Sequence, residues 1–182
     1  RRIKQKEKIN QLNRRRKNIM CQGCQNKVVE RAAYRVDHVG SFLRPKELVE
    51  AREKFSKGEL SQEELTKVED KAITELVEKQ IANGLKGVTD GEFRRAYWHL
   101  DFFWGLNGVE HVQGEKGYPF KGIETKPDTA KVSGKISGEN HPFVAHYKFL
   151  RDLVADKKDV TVKLTIPSPS QLYFELIRTE DH

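Results

Sequence analysis

Cysteine is nearly absent from this sequence: two residues among 182, Cys21 and Cys24, with no second pair to build a disulfide framework or a thiolate metal site. They stand before the first expected strand and read as an incidental pair, so no metal ligand is assigned. No apolar run is long enough for a signal peptide or a membrane helix, which points to a soluble cytoplasmic protein. Two glycine-rich signatures are also missing. No Gly-x-Gly-x-x-Gly turn follows the first strand and no Gly-x-x-x-x-Gly-Lys loop occurs, so nucleotide-binding readings lose support. Repeats of solenoid length are absent. Apolar residues are sparse, at 36% with a mean hydropathy of -0.75, but 182 residues suffice for one domain with a real core.

Acidic residues are scarce in one place only. Residues 1–20 hold nine Lys and Arg against a single acid, Glu7. Removing them from the totals of 34 basic and 27 acidic residues leaves 25 and 26, so the formal charge of +7 belongs to the tail. A basic arm can hold RNA or DNA through phosphates, yet this one has no aromatic side chain for base stacking. The neutral body argues against a nucleic-acid partner. Arg15-Arg16-Lys17-Asn18-Ile19-Met20 back-translates to a purine-rich ribosome-binding site followed by a start codon. The expectation is a start at Met20 with residues 1–19 as untranslated leader. A basic, disordered tail over residues 1–30 then precedes a folded body over 31–182.

That body alternates strands and helices. Residues 33–39 are short and β-prone, and Gly40-Ser41 ends them. Pro45 suits the first turn of a helix carrying Leu48, Val49, Ala51 and Phe55, which Gly58 stops. Ser61 and Glu64 make a capping box. Leu65, Val68, Ala72, Ile73, Leu76, Val77 and Ile81 then follow at helical spacing, with Glu and Lys on the other face. Asn83-Gly84 closes that helix, and residues 85–89 form the second strand. An aromatic run over 97–104 leads into a Gly-rich excursion over 105–122, with an extra strand at 128–137. Pro142 opens a helix with Phe143, Val144, Tyr147, Leu150, Leu153 and Val154. The third strand covers 160–166, and a last helix covers roughly 170–178. Alternation of this kind implies an α/β fold of parallel strands with right-handed crossovers, as a doubly wound sheet or a (β/α) barrel. The missing nucleotide loops favour the barrel.

Parallel strands present chemistry at their C-terminal ends. Here these are Val39-Gly40-Ser41, Asp90-Gly91-Glu92 and residues 165–168. Two readings stay open. In one, the Gly40-Ser41 step brings backbone N–H groups to a ligand carboxylate, since glycine removes the side-chain obstacle. Glu92 then accepts from an ammonium group, and the two ends of an amino acid are clamped. In the other, Gly40 and Gly91 only turn the chain, and Asp90 or Glu92 pairs with Arg94 or Arg95. His38 lies closest to a strand end. His99, His111, His141, His146 and His182 show no ligand spacing and are expected at the surface. Trp98, Phe102, Phe103 and Trp104 read as core in preference to a stacking wall for a pteridine ring.

Residues 37–45, the helix through Glu69-Asp70 and Gln80, and residues 88–95 with Trp98 and Asp101-Phe102 closely resemble one family. It is the C-terminal domain family of cobalamin-independent methionine synthases, in its short single-barrel branch. The resemblance runs from about Arg31 to the end. It implies a (β/α)8 TIM barrel that moves a methyl group from a methylated folate to the thiol of homocysteine, with zinc holding the thiolate. By the same resemblance Val39, Gly40 and Ser41 bind the amino-acid part of homocysteine and Glu92 its amine. His38, Asp90, Trp98 and Tyr173 are further substrate-site candidates, Tyr173 standing near a family tryptophan that stacks on folate.

Departures from the family pattern matter as well. The resemblance implies zinc ligands in a His-x-Cys pair, a Glu and a distant Cys, and this sequence has no His-x-Cys. A complete barrel takes roughly 250 residues, and about three strand units are legible here. The expectation is therefore an incomplete, N-terminal part of the barrel, inactive alone, with no catalytic or metal residue assigned. A non-catalytic binding module is the alternative, and an RNA-associated protein acting through its basic tail is a third.

Overall fold

The computed structural model describes residues 38–114, 117, 121–122 and 125–178. Met20, Cys21, Cys24, His182 and most of the first expected strand lie outside the described residues. The elements run α1 (Lys46–Ser56), α2 (Gln62–Ala82), β1 (Gly87–Val88), α3 (Leu100–Trp104), β2 (Asn107–Gln113), β3 (Asp128–Ser137), α4 (Pro142–Leu153), β4 (Thr161–Val162) and α5 (Pro169–Arg178). The fold is mixed α/β. Among the described residues, no helix is long and apolar enough to cross a membrane.

Local chemistry accounts for the helices. Ser61 Oγ accepts from Glu64 N at 3.2 Å while Glu64 Oε2 accepts from Ser61 N at 2.9 Å, the expected capping box of α2. Gly58 and Gly84 take positive φ, +75° and +81°, where each chain leaves its helix. Pro45 sits one position earlier than expected, as the residue before α1, with extended backbone and its carbonyl accepting from Leu48 and Val49. One face of α2 buries Leu65, Ala72, Ile73 and Val77. The same face buries Glu69 and Gln80, which corrects the expectation that charged and polar residues fill only the other side.

Three extended segments lie side by side. β1 pairs with β4 in parallel, Gly87 opposite Thr161 and Val88 opposite Val162. On the other side of this segment Ser41 forms a parallel bridge with Gly91, and Phe42 N donates to Gly91 O at 3.1 Å. Side chains supplement this thin ladder. His38 Nε2 lies 3.0 Å from Gly87 O, and Lys163 Nζ donates to His38 O. Ladder pairing is shorter than residues 85–89 and 160–166 suggest. Gly40 and Gly91 take φ of +132° and +68° and carry the strand ends away from extended geometry.

Helices α1, α2 and α4 pack on these segments through Leu48, Ile73, Val77, Val88, Phe93 and Leu150. Burying a side chain such as Leu48 or Ile73 contributes about 1.5–3 kcal/mol. In α4, Phe143 and Leu150 are buried while Val144 and Tyr147 remain exposed, so its apolar face is narrower than its sequence pattern.

A second cluster joins Leu100 and Phe103 to Val109 and Ala130 of an antiparallel β2–β3 pair. β3 falls where the extra strand is expected. β2 is a strand within the Gly-rich excursion, where none is assigned from sequence, and its register shifts between Asn107 and Val109, where Gly108 has φ +75°. Of the aromatics expected in the core, Phe103 belongs to this cluster and Phe102 and Trp104 pack against it with Tyr97, whereas Trp98 is exposed. His99 and His141 are buried, not at the surface as expected. His141 caps α4, its Nδ1 accepting from Phe143 N at 3.1 Å, and its Nε2 lies 2.9 Å from Phe102 O.

Candidate functional site

The ends of the three parallel segments open into one cleft of about 500 Å³. Val39, Ser41, Glu92 and Trp98 line it, as do Arg95 and Thr165. Four of the expected site residues thus meet on one wall set. Gly40 is buried directly behind, its carbonyl accepting from Thr89 Oγ1 at 2.7 Å.

Glu92 occupies an unusual position. Its φ is +58°, next to Gly91 at +68°. A left-handed backbone costs a residue with a Cβ roughly 1–2 kcal/mol, and such strain gathers at functional turns. Asp90 sustains the turn, its Oδ1 accepting from Glu92 N at 2.9 Å. Asp90 itself is buried and does not line the cleft. A larger residue at Gly91 is strained by its positive φ, and its Cβ would push on Leu76 Cδ2 at 2.4 Å and Phe93 Cε1 at 2.9 Å.

The Glu92 carboxylate is held on one oxygen. Oε1 accepts from Thr165 Oγ1 at 2.7 Å and lies 3.4 Å from Arg95 Nη1. Arg95 is buried, also donates to Thr165 O at 2.7 Å, and stands 4.5 Å over the Phe143 ring. No described residue donates a hydrogen bond to Oε2. Glu92 is thus paired with Arg95, as one of the two readings has it, and it also lines the cleft. Arg94 turns elsewhere, to Glu69 at 3.2 Å and to Asp70.

Behind this wall Glu69 receives both Arg94 and Arg52, the latter at 3.0 Å. Burial raises its carboxyl above the usual range, against the pull of Arg94 and Arg52. Arg44 donates from Nη2 to Glu92 O at 3.1 Å and to Arg95 O. Burial, and then the neighbouring charge of Arg52, lowers its pKa.

The remaining candidates sit apart from the cleft surface. His38 is part of the seam between strands, as described above. Tyr173 is exposed and does not line the cleft; its ring neighbour is Phe174, at 6.2 Å. Residue-by-residue reading missed Arg44, Arg95 and Thr165 as parts of the site. Arg44 stood inside the string 37–45 and Thr165 at the third strand end, so both carried a signal. Their partners, 48 to 73 residues away in sequence, did not.

The zinc implied by the resemblance finds no fit here. Among the described residues no group of three or more His, Cys, Asp or Glu is placed to hold a metal. What these residues offer chemically is a carboxylate, a buried guanidinium and a threonine hydroxyl bonded to one another at the wall of a cleft.

No protein-family model matches the chain. Two Bacillus subtilis proteins of unassigned function are similar to it. YxjH is 46% identical over 144 residues, and YxjG is 44% identical over 141, covering 79% and 78% of this chain. The chain spans only 37% and 36% of those relatives. A solved Listeria monocytogenes structure, assigned as a vitamin-B12-independent methionine synthase, superposes with a TM-score of 0.62 at 44% identity. That match covers 76% of this chain and 37% of the other. With the strand-end strings, the parallel segments and these likenesses together, the chain belongs to the cobalamin-independent methionine synthase family.

Proposed function

We propose that this chain supplies the amino-acid-recognition part of a (β/α)8-barrel methyltransferase that moves a methyl group from a methylated folate to the thiol of homocysteine. The observation that carries it is the open Oε2 of Glu92, held at a cleft that Ser41 also lines. An α-ammonium group docks on that oxygen, and the carboxylate of the same amino acid meets the Val39–Ser41 backbone. Trp98, 52% exposed, forms an apolar wall of the cleft. Arg95 and Thr165 keep the Glu92 carboxylate in one orientation, so little ordering is left for the ligand to impose. His38 and Asp90 act indirectly, by holding the strand seam and the turn.

Titration calorimetry with L-homocysteine tests this reading. Glu92→Gln should weaken binding roughly tenfold or more, the cost of removing a charge-assisted hydrogen bond. Equal affinity in wild type and variant, or no binding by wild type, refutes it. Binding without methyl transfer, in the presence of zinc and a methylated folate, assigns a binding module instead.

A further inference from the structure

The arginines around the Glu92 turn are unevenly compensated. Arg52 and Arg94 share Glu69, Arg94 also takes Asp70, and Arg95 takes Glu92. Arg44 has no such partner: among the described residues no carboxylate oxygen lies within 4.0 Å of it, and its only hydrogen bonds go to two main-chain carbonyls. Its Nε is buried without an acceptor. A half-buried cation beside a second arginine is costly unless an anion joins it.

Space for such an anion exists. A second, open cleft of about 380 Å³ is lined by Arg44, Arg52 and Arg95, with Glu53 and Ser56 on the α1 side. Three arginines thus line one groove, against Glu53 as the one acidic residue of its lining. We infer that this groove is an oxyanion site, in which Arg44, seconded by Arg52, binds the phosphate or carboxylate group of a small ligand. Guanidinium groups suit both, because their planar donors match two oxygens at once. The site adjoins the amino-acid cleft through Arg44 but does not rest on that reading, since its test contains no amino acid.

Inorganic phosphate and, separately, glutarate are titrated into the full chain by calorimetry at low, constant ionic strength, where surface charge is least screened. Saturable binding of one or both is expected, and whichever binds names the oxyanion class. Arg44→Gln should weaken it roughly tenfold, with Arg44→Lys falling between variant and wild type. Glu53→Gln leaves Arg44 and its main-chain bonds intact and should tighten binding several-fold, so it decides the matter if Arg44→Gln misfolds. Failure of both anions to bind wild type overturns the site, as does unchanged affinity in Glu53→Gln or in a folded Arg44→Gln.

Discussion

Gln80 treats Thr89 as a neighbouring strand would: its Oε1 accepts from Thr89 N at 3.0 Å and its Nε2 donates to Thr89 O at 2.8 Å. One buried amide on α2 thus satisfies both polar groups of a backbone unit at the strand end that precedes the Gly91-Glu92 turn. Gln80→Leu keeps the volume and removes both partners. Leaving a buried N–H and C=O unpaired should cost roughly 2–4 kcal/mol, read from urea unfolding. A loss below about 0.5 kcal/mol, the range of a neutral surface change, would show that the amide is dispensable.

The left-handed backbone at Glu92 predicts an inverted ranking of small substitutions. Alanine loses the carboxylate bonds to Thr165 and Arg95 and keeps the strain; glycine loses the same bonds and relaxes it. Glu92→Gly should therefore be the more stable by about 1 kcal/mol, the steric relief less the extra freedom glycine gains when unfolded. Differential scanning calorimetry of the two variants settles the order, and alanine above glycine would refute the strain.

His146 makes stability sensitive to mild acid. Burial, then the charges of Arg94, Arg95 and His141, lowers its imidazole from 6.5 to about 4. Between those values the unfolded chain takes up a proton that the folded chain refuses, so stability present above pH 6.5 declines as pH falls toward 4. His146→Gln removes this component. Urea midpoints at pH 7.5 and pH 5 should drop less in the variant than in wild type. Parallel curves would rule out the buried neutral imidazole.

Tyr97 anchors the hairpin at the end next to its connecting segment by donating to Asp128 Oδ2 at 2.6 Å, with His111 Nε2 2.8 Å from the other oxygen. This hydrogen bond is the main cause holding the Asp128 carboxyl below its usual value, and burial and the carboxylate drive the phenol up to about 12. Tyr97→Phe should cost about 1–2 kcal/mol at neutral pH, as expected for a hydrogen bond to a charge. Because the depressed carboxyl stabilises only while ionised, the difference should shrink as pH falls through the folded Asp128 value. A deficit that persists unchanged in acid would assign the loss to packing.

Features that depend on nearby residues were legible in the sequence. The Ser61–Glu64 box, the stops at Gly58 and Gly84, and the opening of α4 at Pro142 each act within a turn or two. Strand-end logic likewise brought Ser41 and Glu92 to one cleft. Glu69 and Gln80 were hidden because their helical positions look like ordinary polar ones. Only the arrival of Arg52, Arg94 and the Thr89 backbone explains why they are buried. β2 was hidden by its composition, since Asn107, Gly108 and His111 interrupt the alternation that marks a strand. Tyr173 lies on α5 outside the lining of the Ser41–Glu92 cleft, and its own stretch of sequence does not say which way α5 presents it.

The seam from His38 to Gly87 to Lys163 has a kinetic side. Its bonds join positions 49 and 125 residues apart, whereas α2 and the β2–β3 pair close over much shorter stretches. Contacts between distant positions form after local ones, because the loop entropy must be met before they stabilise anything. By this reasoning the cleft at the strand ends should be among the last parts of the molecule to assemble. Substitutions along the seam should leave the rate of folding nearly unchanged and hasten unfolding, shortening the life of the cleft ahead of the helices around it.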